Sequence, residues 1–262
     1  MPLPVPDHTI LESAPLQVAI AQVRFDTRET LTAVETGRAL LEVLMPLGLT
    51  AMNQVHQQQV LFGPEGSVDQ PAGTARQAVG WQFVNKENTT SLSVLTDQMT
   101  LETRDYGGWE VFVAVWKACI TGLVDVSSPG LLIRLGLRYV NRIIPLRASV
   151  IADFKYAGLV DPTFLGPAAD SPLSEYVTAA EGRAALSFPD GTDALVQYGV
   201  TMDGMSPALV LDIDCFRSQA EAFGLDRVVK AATEMNVKAL QVFQTIVQPA
   251  LRAEMESAEV TP

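Results

Sequence analysis

The sequence has few of the groups that most enzyme chemistry uses. It has two histidines and two cysteines in 262 residues, and only 18 basic residues against 30 acidic ones. His8 sits in a proline-rich N-terminal stretch and His56 in a glutamine-rich segment. Neither has a serine or cysteine nearby in the setting of a nucleophile elbow, which argues against a Ser or Cys hydrolase. No His, Cys or carboxylate cluster has zinc spacing and no Asp-rich loop resembles a calcium site, so no metal or cofactor is expected. Cys119 ("VWKACITGL") and Cys215 ("LDIDCFRS") lie in apolar surroundings without CxxC spacing and read as buried free thiols in a reducing compartment. The N-terminus has three prolines in its first six residues and neither a basic nor an apolar leader region. No segment approaches the roughly 20 consecutive apolar residues of a membrane span. A cytoplasmic protein is the expectation.

The net charge of −12 repels phosphate backbones, so nucleic acid is a poor partner. A basic protein, a cation or a neutral small molecule suits the field better, and a protein partner or a homo-oligomer is the expected assembly, with a small-molecule ligand as the alternative. With 48% hydrophobic residues, the chain can bury a substantial core.

After a tail over residues 1–15, "LQVAIAQVRF" has strand composition. Asp26 or Thr27 is placed to cap a helix starting near Arg28, with apolar residues Leu31, Val34, Leu41 and Leu44 at helical spacing and a stop at Pro46 and Gly48. A polar strand follows at about 50–62, then a stretch at 63–78, "GPEGSVDQPAGTARQA", that reads as a mobile surface loop. "VGWQFVN", "TSLSVLT" and "MTLETRDY" form a meander. The segment 107–126 is a helix apolar almost all round, opened by Gly107 and Gly108, with Glu110 favourable to its dipole. No Walker or dinucleotide fingerprint accompanies these glycines. Trp81, Phe83, Trp109, Phe112 and Trp116 are expected in the core between helix and sheet.

The second half repeats that order. "LLIRLGLRYVNRI" is a strand, and a weaker helical stretch around 150–181 follows. A second meander runs through "GRAALSFPD", "ALVQYGVTMD" and "PALVLDID". A long helical run over about 225–256, interrupted at Pro249, closes the chain. The expectation is an α+β fold built as a tandem pseudo-repeat: a first half at 16–128, a second at 129–262, each a helix on a curved antiparallel sheet, together saddle-like.

Three cations stand in the strand at 131–143. Alternation puts Arg134, Arg138 and Arg142 on one face with Gly136 and Val140, and Ile133, Leu135, Leu137, Tyr139 and Ile143 on the other. Arginines four apart on a strand are separated by about 13 Å and cannot grip one phosphate together. Asp212 and Asp214 share one face of "LVLDID", and Glu102 alternates with Leu101 and Thr103, so cross-strand ion pairs are the expected partners. Arg134, Arg138, Arg142, Asp212, Asp214 and Glu102 are also the candidate ligand-binding set, because Gly136 would let a flat group approach the backbone. "DID" offers half of a magnesium site, but two aspartates on one strand face are ordinary structure.

"SAPLQVAIAQVRF", "WQF", "TRDYGGWEVF", "RLGLRYVNRI" and "LDID" together resemble an uncharacterised, sporadically distributed prokaryotic family. Its members share an early PLxE-like strand with an arginine, a Y-x-x-W-E-x-F helix start, an R-x-G-L-R-Y-x-N strand and a late D-I-D strand. The resemblance spans nearly the whole chain. Gln17 and Val18 stand where the family tends to carry a glutamate, which weakens any role for an acidic group there. The resemblance implies the fold and no activity. A non-catalytic accessory or regulatory protein that binds a partner protein is therefore the expected function. A small-molecule binder or enzyme with a cavity between helix and sheet, using Arg134, Arg138, Tyr139 and Asn141, is the alternative.

Overall fold

Alternation in the strand β1 (Leu16–Phe25) sends Ala19, Ala21, Val23 and Phe25 into the core, while Val18, Ile20, Gln22 and Arg24 stay half-buried or exposed. That split between two faces organises the molecule in a computed structural model, which describes residues 3–7, 11, 14–61, 73–144, 158–169, 172–173, 176–203 and 206–256. β1 leads through a short 3-10 turn to α1 (Val34–Leu44), then to β2 (Leu49–Leu61), β3 (Gly73–Asn85), β4 (Thr90–Leu95), β5 (Gln98–Thr103) and α2 (Trp109–Ser127). β6 (Leu131–Ile143), β7 (Ala180–Ser187), β8 (Asp193–Asp203), β9 (Ser206–Arg217) and the short β10 (Glu221–Ala222) follow. The helices α3 (Leu225–Ile246) and α4 (Pro249–Glu256) close the described chain.

Among the described residues the fold is α+β with one antiparallel sheet in the order β2-β3-β4-β5-β1-β6-β9-β8-β7, and β10 pairs with β6. α1 packs on α2, α2 on α3, and α3 on β6 and β9. One hydrophobic core joins these helices to the inward residues of the strands. α3 shows why: Val228, Ala232, Met235, Ala239, Val242 and Ile246 recur at three- and four-residue spacing and are all buried. α2 buries Phe112, Trp116, Cys119, Ile120 and Leu123, and Gly37 of α1 leaves room for the Trp81 ring, which a Cβ there would meet at 2.7 Å. No described helix is long and apolar enough to cross a membrane.

Three local expectations change. No side chain caps a helix at Asp26 or Thr27; Arg28 precedes the 3-10 turn, and α1 begins only at Val34. Asp26 instead ties the end of β1 to the start of β6, its Oδ1 accepting from the backbone N–H groups of Gly130 and Leu131 at 2.8 Å each and its Oδ2 lying 2.7 Å from Arg28 Nη2. Residues 73–78 of the expected surface loop belong to β3, and the remainder of that loop, 63–72, lies outside the described residues. The expected helical stretch at 150–181 lies in part outside them as well; where it is described, it holds no α-helix but 3-10 turns at Pro162–Phe164 and Gly166–Ala168, a bridge from Val160 to Val247 and the first two residues of β7.

The position of Asp26 sets a pH dependence. Burial pulls its pKa up, but the Leu131 and Gly130 donors and Arg28 outweigh burial and hold it below the usual carboxylate value. Its stabilising contribution is thus fully present above the unfolded carboxylate value and is lost as pH falls through the depressed folded one. Urea titrations of the wild type and Asp26→Ala should show a gap in unfolding free energy that is widest at neutral pH and narrows in acid. A gap constant with pH would contradict this role.

Candidate functional site

The core covers one face of the sheet; on the other, no described helix contributes to a second core. The arginines of β6 point to that face, uncovered among the described residues, as alternation requires, and so do Asp212 and Asp214 of β9. Arg138 stands directly across from Asp214 but bonds diagonally to Asp212, Nε to Oδ1 at 2.8 Å and Nη2 to Oδ2 at 2.5 Å. Two parallel charge-assisted bonds of this kind are the strong geometry for arginine and carboxylate. Arg134 Nη2 bonds Asp214 Oδ2 at 3.0 Å, its Nη1 bonds Gln22 Oε1 at 3.2 Å, and its guanidinium carbon lies 4.9 Å from the centre of the Phe216 ring.

The flat group over Gly136 is therefore Arg134 itself: a Cβ at Gly136 would fall 2.5 Å from Arg134 Nη1. Burial raises the pKa of Asp214, with Arg134 and Arg138 opposing that rise, while the hydrogen bond to Asp212 raises that of Arg138 further. Arg142 lies across from Val210 on the same face. Glu102 does not join these arginines. It stands opposite Ile20 of β1, one strand short of β6, and pairs with Arg104 at 2.9 Å.

Ile133 departs from the expected alternation. The register slips between Arg24 and Phe25, so Leu132 rather than Ile133 enters the core, and Ile133 is 39% exposed. Tyr139 and Asn141 serve the core: Tyr139 Oη donates to Asn236 Oδ1 at 2.8 Å, and Asn141 Nδ2 donates to the Leu211 carbonyl at 3.1 Å. Neither faces the arginines. Both cysteines are buried and free, and burial pushes each thiol up to about 12, which withholds the thiolate a nucleophile needs.

Two features of the uncovered face come from strand register. One is a row of uncharged polar side chains running across five strands: Asn53 opposite Gln82, Gln82 opposite Ser93, Ser93 opposite Thr100, and Thr100 opposite Gln22. Gln22 Nε2 bonds Thr100 Oγ1 at 3.2 Å and its carbonyl oxygen receives Arg134, so the row ends on the ion pairs. The other is an open cavity of about 900 Å³ around β7, β8 and β9, lined by Glu181, Arg183, Gln197, Tyr198, Gly199 and Asp212 among others. Asp212 thus joins the cavity to the Arg138 pair. Alternation marks each of these side chains as outward within its own strand, but only pairing shows that they are neighbours. Among the described residues, no group of three or more His, Cys, Asp or Glu side chains is arranged to hold a metal ion.

A scan of protein-family models and a search of curated proteins each found no match to this chain.

Proposed function

We propose that the chain is a non-catalytic accessory or regulatory protein that presents the uncovered face of its sheet to a partner protein. The observation that carries this reading is the polar row Asn53, Gln82, Ser93, Thr100 and Gln22. Its amides and hydroxyls offer both donors and acceptors across a rigid sheet, and the adjoining charges are already neutralised within the protein. Such a surface suits a polar partner, and a net charge of −12 favours one that is neutral to basic.

The finer architecture is part of the proposal. We read the halves on either side of residue 128 as a tandem pseudo-repeat whose sheets join at β1 and β6 into a saddle. In support, β1 and β6 are adjacent, and each is flanked on its other side by the last strand of its own meander, β5 or β9. Membership of the prokaryotic family that the motifs resemble, and a cytoplasmic setting, belong to the same reading.

The test is capture from the native host with charge placed on one layer or the other. Thr100→Arg puts a cation into the polar row, while Val111→Arg puts it on the exposed surface of α2. A protein held by the wild type and by Val111→Arg, and lost with Thr100→Arg, is the expected result. Loss with Val111→Arg alone, or no specific protein held by the wild type, would overturn the reading.

The cavity beside Asp212 favours a second reading, a small-molecule binder. Its volume is within the range of ligand pockets, and Arg183, Glu181 and Gln197 offer charge of both signs and an amide. Gentle purification followed by native mass spectrometry should then show a small adduct, and Arg183→Ala should remove it. A bare polypeptide mass would end that alternative.

A further inference from the structure

β7 is the last strand of the sheet, and among the described residues no strand pairs with its outer edge. Unpaired edges are usually protected by charged side chains, lysine above all, by proline, by a bulge or by a covering segment, and the two charges of β7, Glu181 and Arg183, are of opposite sign. β7, "AEGRAALS", has no proline or lysine, and its register with β8 runs from Ala180 to Ser187 without a slip. Its side chains are small except at Glu181, Arg183 and Leu186. Glu181 and Arg183 are both exposed and face the uncovered side of the sheet, like Gln197 and Gly199, which they oppose on β8. Those neighbours carry no charge. Among the described residues, neither Glu181 nor Arg183 has a hydrogen-bond or ion-pair partner.

We propose that β7 pairs with β7 of a second copy of this chain, antiparallel and centred on Gly182. An isologous pairing about that residue sets Glu181 of each copy directly across from Arg183 of the other, on the same face, and Ala180 across from Ala184 on the opposite face. Two ion pairs then flank a glycine at the axis, and the small side chains on either side let the backbones approach. The charge pattern is self-complementary in this register. Shifting either strand by two residues leaves at least one charge opposite an alanine. The paired sheets run continuously from one copy into the next, and the two cavities lined by Glu181 and Arg183 meet at the axis. This contact uses the edge of the sheet, while the partner reading uses its face, so either can fail without the other.

Sedimentation equilibrium over a concentration series tests it with Glu181→Arg, Arg183→Glu and the double exchange. The wild type is expected to reach twice 28.3 kDa. Each single exchange places two like-charged contacts at the axis and should weaken association at least about tenfold. The double exchange restores both ion pairs and should restore the dimer. Far-UV circular dichroism should be the same for all four proteins, since both side chains are exposed and unpartnered in the single chain. A wild type that stays at the single-chain mass throughout the series would overturn the proposal. So would a dimer unaffected by the single exchanges, or a double exchange that associates no better than either single one.

Discussion

Replacing Arg138 by methionine should lower the unfolding free energy by about 2 kcal/mol. Breaking a buried ion pair costs about 3–5 kcal/mol because the remaining charge is left without a partner. Asp212 is the vulnerable partner, with its side chain only 12% exposed, whereas Arg138 is 44% exposed and solvent screens part of the interaction. The effect therefore falls below that range. The double variant Arg138→Met with Asp212→Leu removes both charges and should recover most of the loss. Chemical denaturation of the wild type, the two single variants and the double variant closes the cycle. If Arg138 instead stood ready for a ligand, the single variant would unfold close to the wild type and the cycle would show no coupling.

A larger loss is expected at Trp116, where substitution by alanine should cost about 4 kcal/mol. The ring is fully buried at the middle of α2, within the core that joins helix and sheet. Its indole N–H has no hydrogen-bond partner among the described residues, so its contribution is one of volume and contact. Trp116→Phe should accordingly retain much more stability than Trp116→Ala. Val111, 57% exposed on the same helix, is the control: Val111→Ala should change stability by no more than about 0.5 kcal/mol. Equal losses at the two positions would contradict the placement of α2.

Where one strand or one helix decides the outcome, the residues were readable in order. Alternation alone puts Arg134 and Arg138 on the face opposite Leu135, Leu137 and Tyr139, and it makes "LDID" a strand with both aspartates on one side; the structure agrees on each point. Helical spacing likewise marks the buried side of α3. What alternation leaves open is how strands meet. Glu102 has the right chemistry for a sheet arginine, but it lies on β5, and β1 intervenes between β5 and β6. Asp212 rather than Asp214 takes Arg138 because the pair forms on a diagonal, which depends on side-chain reach as well as on register.

The slip at Ile133 has the same origin, since a bulge exists only relative to a partner strand. The polar row is the clearest case. Gln22, Asn53, Gln82, Ser93 and Thr100 are spread over nearly eighty positions from β1 to β5, each unremarked in its own strand, and become a surface only when five strands align. Gly136 shows the reverse: its lack of a side chain was legible as a place for a flat group, and the group that occupies it comes from two residues away.

The most direct test of the uncovered face as the partner surface is site-specific photo-cross-linking in the native host. A photoreactive side chain is placed either at Thr100 in the polar row or at Val111 on the helical layer. The account predicts a covalent adduct with one defined protein from position 100 and none from position 111. An adduct formed only from position 111, or none from position 100, would contradict it.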